Sequence, residues 1–343
     1  MQKVNIAEFL ALGQKYPVLD VRSPGEYRHA HMPGAHSLPL FTDEERKVVG
    51  TTYKQQGRQP AIKIGLDYFG PKMRRMVEEV EQIAAAHTYA SEDARNTVLV
   101  HCWRGGMRSG AVTWLLGLYG FKVYTLAGGY KAFRNHMLAT FAMPRTLHIL
   151  GGYTGAGKTE VLQQLARTQQ VIDLEALAHH KGSAFGRLGE QPTQEMFENN
   201  LGMALLHTQP EKPLWLEDES RRIGDLNLPQ EFWNHMRTAP VYFLDIPFEA
   251  RLKHLVATYG KYKHEDLVSG IMRIRKRLGG LNARNAINHL LEGDVPACFD
   301  ILLRYYDKLY GFGLENREDA RVIVVKCNEA DTANNIASEI NVL

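Results

Sequence analysis

One cysteine stands where a strand pattern gives way to glycine and arginine. The apolar run Thr97–His101 is followed by Cys102-Trp103-Arg104-Gly105-Gly106-Met107-Arg108-Ser109. A glycine-rich turn before a helix can point several backbone N–H groups at one spot, which stabilises an anion. Neighbouring cations lower a thiol pKa and favour the nucleophilic thiolate. We therefore predict that Cys102, Arg104 and Arg108 are catalytic and that Gly105 and Gly106 bind phosphate.

A second segment has the spacing of a phosphate-binding loop. Residues 152–159, Gly-Tyr-Thr-Gly-Ala-Gly-Lys-Thr, fit G-x-x-x-x-G-K-[ST] at every fixed position, between a strand pattern and a helix pattern. The glycines let backbone N–H groups surround phosphate oxygens, the lysine adds a cation, and the threonine hydroxyl can hold Mg²⁺. The predicted phosphate-binding residues are Gly152, Gly155, Gly157, Lys158 and Thr159.

Acidic residues follow two further strand patterns in the same half of the chain. Asp173 comes after Val171-Ile172, and the acidic partners Glu217, Asp218 and Glu219 lie at the end of the run that starts at Leu214. Carboxylates at the carboxyl edge of a parallel sheet suit a divalent cation beside bound phosphate. We expect Mg²⁺ as the cofactor, with Thr159 as a ligand, Asp173, Glu217 and Asp218 as further candidates, and no tightly bound organic cofactor.

A basic segment offers a surface for a polyanion. Residues 251–280 carry 8 Lys/Arg against 2 Asp/Glu, and the candidate residues for binding a polynucleotide are Lys261, Lys263, Arg273, Arg275 and Arg277. Clustered cations suit a nucleic-acid backbone. They also suit an arginine-rich lid over phosphates, similar to that of nucleotide kinases, in which such a lid follows a strand and an arginine placed as 241–245 and Arg251 are here. The sequence leaves both uses open.

The elements that must position these residues alternate along the chain. Short apolar runs at 17–21, 97–101, 122–126, 146–151, 214–217, 241–245 and 321–326 alternate with helix patterns such as 73–86 and 160–167. This alternation predicts an α/β fold with mainly parallel sheets. We place a domain boundary after Met143, which gives domains 1–143 and 144–343. The stretch 40–71, rich in glycine and proline, is predicted to be an irregular functional loop.

Composition narrows the class of protein. The chain has 343 residues, of which 44% are hydrophobic and 23% charged, which excludes a mainly disordered or fibrous protein. Three scattered cysteines predict a reducing cytoplasm rather than a disulfide framework. The sequence has no apolar run near the roughly 20 residues that cross a bilayer, so we expect no membrane insertion.

The N-terminal half resembles the rhodanese family of sulfurtransferases. The resemblance rests on four segments in order, which are Leu19–Tyr27, His31–Ala35, the Cys102 loop and Leu126–Tyr130. It implies that Cys102 carries a chalcogen. Typical sulfurtransferase loops place the arginine five positions after the cysteine, whereas Arg108 follows by six, as in rhodanese-fold phosphatases. The longer loop favours a phosphate-bearing donor.

Further segments extend the likeness to the whole chain; they are 49–57, 173–175, 180–183, 217–224 and 305–307. With them the chain resembles the bacterial tRNA 2-selenouridine synthase family. The resemblance implies a rhodanese-like domain followed by a P-loop kinase-like domain. It implies a transferase that replaces sulfur by selenium in the wobble 2-thiouridine of tRNA, through an S-geranyl-2-thiouridine made from geranyl diphosphate. Selenophosphate is the implied selenium donor, Cys102 the S-selanylcysteine intermediate, and selenophosphate synthetase a further partner.

The two motifs suit the two donors. Carbon 2 of thiouridine has a poor leaving group, and alkylating its sulfur gives a better one. We assign selenophosphate to the Cys102 loop and the geranyl diphosphate to the Lys158 loop; a partly reversed assignment stays open. One alternative is a rhodanese-fold phosphatase or generic sulfurtransferase with an NTP-binding regulatory domain. Another is a non-catalytic tRNA-binding module, which the intact Cys102 and Lys158 disfavour.

Overall fold

The computed structural model describes residues 2–89, 94–180, 190–315, 321–327 and 340, and the side chains of 310–315 are excepted. The chain divides into two compact units, one of Met1–Thr140 with Glu198–Met203 and one of Phe141–Phe197 with Ala204–Leu343. The domain boundary after Met143 stays a prediction. Positions 181–183, which carry part of the resemblance, lie outside the described residues.

The first unit is built on a parallel sheet. Its strands are β1 (Gln2–Val4), β2 (Val18–Asp20), β3 (His36–Ser37), β4 (Thr97–His101) and β5 (Lys122–Leu126), in the order β1-β5-β4-β2-β3. Its helices are α1 (Ile6–Gly13), α2 (Pro24–His29), α3 (Asp43–Gln56), α4 (Arg58–Phe69), α5 (Met73–Ala86), α6 (Met107–Tyr119) and α7 (Gly129–Thr140), with a 3-10 turn at Gly70–Lys72. Strand β4 is central and buried along its whole length. Cys102, the residue after it, therefore lies at the middle of the sheet's carboxyl edge.

The stretch 40–71 folds as two helices, α3 and α4, so the prediction of an irregular loop is wrong. Thr42 and Glu45 form a capping box that starts α3, with N–H to side-chain distances of 2.8 and 3.2 Å. Gly57, with φ of +92°, separates the helices. Pro60 lies in the first turn of α4, where a missing N–H breaks no helical hydrogen bond.

The second unit has its own parallel sheet. Its strands are β6 (Leu147–Gly152), β7 (Gln170–Val171), β8 (Leu214–Glu217), β11 (Val241–Asp245) and β12 (Val322–Lys326), in the order β12-β11-β6-β8-β7, and β9 (Arg222–Ile223) and β10 (Leu226–Asn227) form a separate antiparallel pair. The remaining helices are α8 (Lys158–Leu165), α9 (Leu174–Leu177), α10 (Gln194–Leu206), α11 (Gln230–Thr238), α12 (Phe248–Tyr259), α13 (His264–Leu278), α14 (Gly280–Leu291) and α15 (Val295–Glu315). The predicted α/β fold with mainly parallel sheets is confirmed. None of the helices in the described ranges is long and apolar enough to span a membrane.

Candidate functional site

The Cys102 thiol lies directly after the central strand of the first sheet. Its side chain is buried, and its Sγ lies 3.2 Å from the hydroxyl oxygen of Ser109, in the first turn of α6. Burial raises the pKa of this thiol, but its hydrogen bond with the Ser109 hydroxyl and those from the backbone N–H groups of Ser109, Gly106 and Arg104 lower it by more. The net pKa of Cys102 is below its usual value, as a nucleophilic thiolate requires.

The pair Gly128-Gly129, which follows β5, lies against the backbone of the Cys102 loop. Gly129 has φ of +62°, and a Cβ on it would lie 2.3 Å from the carbonyl oxygen of Cys102. The neighbouring Tyr130 N–H donates to that same carbonyl at 2.8 Å. Only glycine allows this approach, because any side chain would push the loop away from α7.

The two predicted arginines of the loop differ in their surroundings. Arg108 donates from Nη1 to Oε2 of Glu26 at 2.7 Å, and Arg46 lies 3.5 Å from the other carboxylate oxygen. Burial raises the pKa of Glu26, but Arg108 outweighs it, so that carboxyl stays ionised below its usual range. The side chain of Arg104 is exposed, and its backbone N–H serves the thiol. Glu26 was missed as a partner because 82 residues separate it from Arg108.

Replacing Ser109 by alanine should raise the pKa of Cys102. The substitution removes a hydroxyl that stabilises the thiolate and leaves the burial that opposes it. Thiolate absorbance near 240 nm, measured against pH with Cys102→Ala as the blank, reports the titration. An unchanged midpoint in Ser109→Ala would show that the hydroxyl does not stabilise the thiolate.

The second motif forms a loop between β6 and α8, beside the middle of the second sheet. Its predicted glycines Gly152, Gly155 and Gly157 all have positive φ. A Cβ on Gly155 would lie 2.9 Å from the backbone oxygen of Arg251, so the loop packs closely against α12. Lys158 donates from Nζ to the Gly152 carbonyl at 2.9 Å. Positive φ at all three positions is a conformation that glycine adopts without steric cost, which explains the glycines of the motif.

Three carboxylates converge beside this loop. Glu217 ends β8, Glu219 follows it, and Glu175 lies in α9; one oxygen of each lies within 4.8 Å of the others. Glu217 is 1% exposed, and its Oε2 has no hydrogen-bond partner among the described residues. Burial, followed by the charge of Glu175, raises its pKa well above the usual value. Hard oxygen ligands with one buried, unpartnered atom fit a divalent cation such as Mg²⁺.

The other predicted metal ligands lie in the same cleft. Thr159 and Asp218 line it, and Asp173 lines it while its side chain accepts the Ala176 N–H at 2.7 Å as the cap of α9. The structure therefore brings Glu217 together with Glu175 and Glu219. The sequence named Glu217 as a ligand candidate but gave no reason to select Glu175, which precedes Glu217 by 42 positions.

Neutralising Glu219 should stabilise the metal-free protein above neutral pH. Burial, followed by the charge of Glu175, raises the pKa of Glu219 to about 8 from an ordinary 4.5. Between these two pH values the folded state holds a proton that the unfolded state releases. The stability linked to this proton is fully present below pH 4.5 and is lost as the pH rises through about 8. At pH 8, Glu219→Gln should melt about 2 °C or more above the parent protein. Melting curves from pH 5 to 8 test this, with the exposed Glu211→Gln as control; parallel curves for the parent protein and Glu219→Gln would contradict it.

Arg251 is a buried residue that supports the phosphate loop. Its guanidinium pairs with both carboxylate oxygens of Asp307 at 2.8 Å and donates to the carbonyl of Thr154 at 3.2 Å. Only 3% of the residue is exposed. The Tyr305-Tyr306-Asp307 segment of α15 therefore helps to hold the loop through Arg251.

Replacing Asp307 by alanine should lower the free energy of unfolding by about 3 kcal/mol, because it leaves the buried guanidinium of Arg251 without its partner. Asp300→Ala on the same helix is the matched control: its partner Arg304 is exposed, and we expect a loss below about 1 kcal/mol. Urea unfolding of both variants measures the difference. Equal losses would contradict a structural role specific to Asp307.

The basic candidates lie on or before α13. This helix packs on α14 and α15 through apolar residues that include Leu267 and Ile271, and all five predicted cations are exposed. Of these five, Arg277 lines the cleft at the phosphate loop, together with residues of α12 and α15. Arg273 shares its helix face, being one turn away, whereas Arg275 points about half a turn round the helix.

Known domain families match both halves of the chain. Residues 6–136 match the rhodanese-like domain, and residues 145–341 match the family described as the tRNA 2-selenouridine synthase AAA domain. The fold and the two loops thus define a rhodanese-like domain joined to a P-loop domain, as predicted. The chain belongs to the tRNA 2-selenouridine synthase family.

Full-length relatives agree with this assignment. A protein named tRNA 2-selenouridine synthase from Shewanella loihica is 37% identical over 347 residues, covering 91% of this chain and 90% of the relative. One of the same name from Hahella chejuensis is 36% identical over 341 residues, covering 88% and 86%. Another from Serratia proteamaculans is 36% identical over 353 residues, covering 93% and 91%.

Proposed function

We propose that this protein replaces sulfur by selenium in the wobble 2-thiouridine of tRNA, in two steps that use geranyl diphosphate and selenophosphate. The observation that carries the proposal is the pairing of a thiol of lowered pKa in one anion-binding loop with a second phosphate-binding loop elsewhere in the chain. Family membership supplies the substrate class. One loop for each phosphate-bearing donor accounts for both motifs.

The first step is S-alkylation at the P-loop. The thiouridine sulfur attacks carbon 1 of geranyl diphosphate, the carbon–oxygen bond breaks, and diphosphate and the N3 proton leave. Lys158 and the backbone N–H groups of residues 152–159 bind the diphosphate and stabilise the charge that it gains. Mg²⁺, held by Thr159 with Glu217 and its neighbouring carboxylates, would neutralise part of that charge.

The second step is displacement of geranylthiol by selenium at the Cys102 loop. A nucleophilic selenium attacks carbon 2, and geranylthiolate leaves, so the nucleoside exchanges one chalcogen for another. Water takes the phosphoryl group of selenophosphate, which gives phosphate and a selenide. The loop amides and Arg108 bind the selenophosphate anion before this transfer.

Carriage of selenium on Cys102 as S-selanylcysteine requires a small-molecule disulfide as co-reactant: the Cys102 thiolate attacks it, its S–S bond breaks, one thiolate leaves, and a mixed disulfide of Cys102 forms. Selenium in the carrier is two electrons more oxidised than in selenophosphate, so the selenide must attack a mixed disulfide of Cys102; the S–S bond breaks, an S–Se bond forms, and a thiol leaves. After the terminal selenium has bonded to carbon 2, a thiolate attacks Cys102 Sγ. That attack releases selenouridine and regenerates the mixed disulfide, so the cycle consumes no oxidant.

Donor omission tests the proposed function. A 2-thiouridine tRNA is incubated with the protein, Mg²⁺, geranyl diphosphate and selenophosphate, leaving out one donor at a time, and its nucleosides are identified by mass spectrometry. We expect S-geranyl-2-thiouridine without selenophosphate and 2-selenouridine when it is added. Unchanged nucleoside would overturn the proposal. Phosphate release from phosphoesters without tRNA would favour the rhodanese-fold phosphatase instead.

A further inference from the structure

The cleft at the phosphate loop has two chemically different walls. Its volume is about 810 Å³, within the range of small-molecule sites. One wall is acidic and contains Glu175, Glu217 and Glu219. The other wall comes from α12 and α15 and contains Leu255, Thr258, Tyr259, Tyr306 and Leu309, which are largely apolar and aromatic. His254 of α12 and Arg277 of α13 also line the cleft.

The apolar wall begins directly at the phosphate loop. A Cβ on Gly155 would lie 2.9 Å from Cγ of Leu255, so this leucine touches the loop backbone. Tyr259 follows Leu255 by four residues on α12, and Leu309 follows Tyr306 by three on α15, so each pair lies on one helix face. A ligand held by its phosphate groups at the loop therefore meets the mainly apolar face that these two pairs form.

Leu309 is an unusual member of the wall because it remains 47% exposed to solvent. Leu255, by contrast, is buried at 6% exposure. An apolar ligand lying along the cleft would remove the exposed part of Leu309 from water, which favours binding. A second diphosphate or a metal ion would gain nothing from this contact.

We propose that the α12–α15 wall binds the geranyl chain of the alkyl donor while the phosphate loop holds its diphosphate. This inference rests on the proposed function and adds the residues that recognise the donor's chain. An isoprenoid chain has no hydrogen-bonding groups, so its recognition requires an apolar surface beside the diphosphate site. The wall thus distinguishes geranyl diphosphate from inorganic diphosphate.

The test compares ligands in full-length protein with Leu309→Gln, which keeps the side-chain length but makes it polar. Titration calorimetry with Mg²⁺ gives the Kd for geranyl diphosphate, inorganic diphosphate and ATP. We expect Leu309→Gln to weaken geranyl diphosphate about tenfold and to leave inorganic diphosphate unchanged. Leu291→Gln is the matched control, since this leucine is 68% exposed on α14 and does not line the cleft; it should change neither Kd.

Three outcomes would overturn the inference. The first is equal loss of affinity for geranyl diphosphate and inorganic diphosphate in Leu309→Gln. The second is loss of ATP affinity alone, which would assign the wall to a nucleoside. The third is unchanged affinity of Leu309→Gln for geranyl diphosphate. If the donor-omission assay still gives S-geranyl-2-thiouridine in that case, the proposed function stands and the geranyl chain binds at another surface.

Discussion

Replacing Cys102 by alanine should lower the rate of selenation at least about a thousandfold while leaving geranylation intact. The substitution removes the only thiol among those described that the surrounding amides and the Ser109 hydroxyl stabilise as a thiolate. The measurement is the conversion of purified S-geranyl-2-thiouridine tRNA by selenophosphate, followed by nucleoside mass spectrometry. Geranylation of 2-thiouridine tRNA is measured in parallel.

Cys298 provides the control for that experiment. It is also a buried thiol, but burial, followed by the charge of Asp294, raises its pKa to about 11, so it stays protonated at neutral pH. Cys298→Ala should carry out both selenation and geranylation at the rates of the parent protein. Selenation that survives in Cys102→Ala would show that selenophosphate reacts without this thiol.

Replacing Lys158 by alanine should reduce geranylation by about a hundredfold or more. The lysine ammonium, which donates to the Gly152 carbonyl in the free protein, is positioned to turn to a bound diphosphate. Single-turnover formation of S-geranyl-2-thiouridine measures the effect. Selenation of tRNA that already carries the geranyl group should be preserved.

The matched control is Lys212→Ala, an exposed lysine outside the cleft, which should leave both steps unchanged. The two main variants together test the division of labour between the loops. Equal loss of both steps in Cys102→Ala and in Lys158→Ala would contradict it. Loss of selenation alone in Lys158→Ala would reverse the assignment of donors.

Features that depend on contiguous residues could be predicted from the sequence. The P-loop consists of eight consecutive positions, and the strand before it and the helix after it each have their own periodic pattern. The Cys102 loop is equally local. Strands β4, β5, β8 and β11 have the bounds of the predicted apolar runs. Of these, β4 and β8 are buried along their whole length, which favours near-continuous apolar residues.

Contacts between distant segments could not be predicted in this way. Glu26 with Arg108 and Arg251 with Asp307 pair residues from separate elements, which only the folded sheet order brings together. The stretch 40–71 forms helices although glycine and proline, which usually interrupt helices, predict an irregular loop there. Packing and capping outweighed the roughly 1 kcal/mol that a glycine costs inside a helix. The Thr42-x-x-Glu45 box was the local pattern that could have corrected it.

The Arg251–Asp307 pair also determines when, during synthesis of the chain, the phosphate loop is stabilised. The phosphate loop ends at Thr159, whereas Asp307 lies in the last long helix of the described chain. At translation rates of about 5 to 20 residues per second, Asp307 is added roughly 7 to 30 seconds after that loop. Until then Arg251 lacks its carboxylate, and the loop lacks its support. In a nascent chain on the ribosome, the support that Asp307 gives to this loop through Arg251 therefore forms only after α15 has been added.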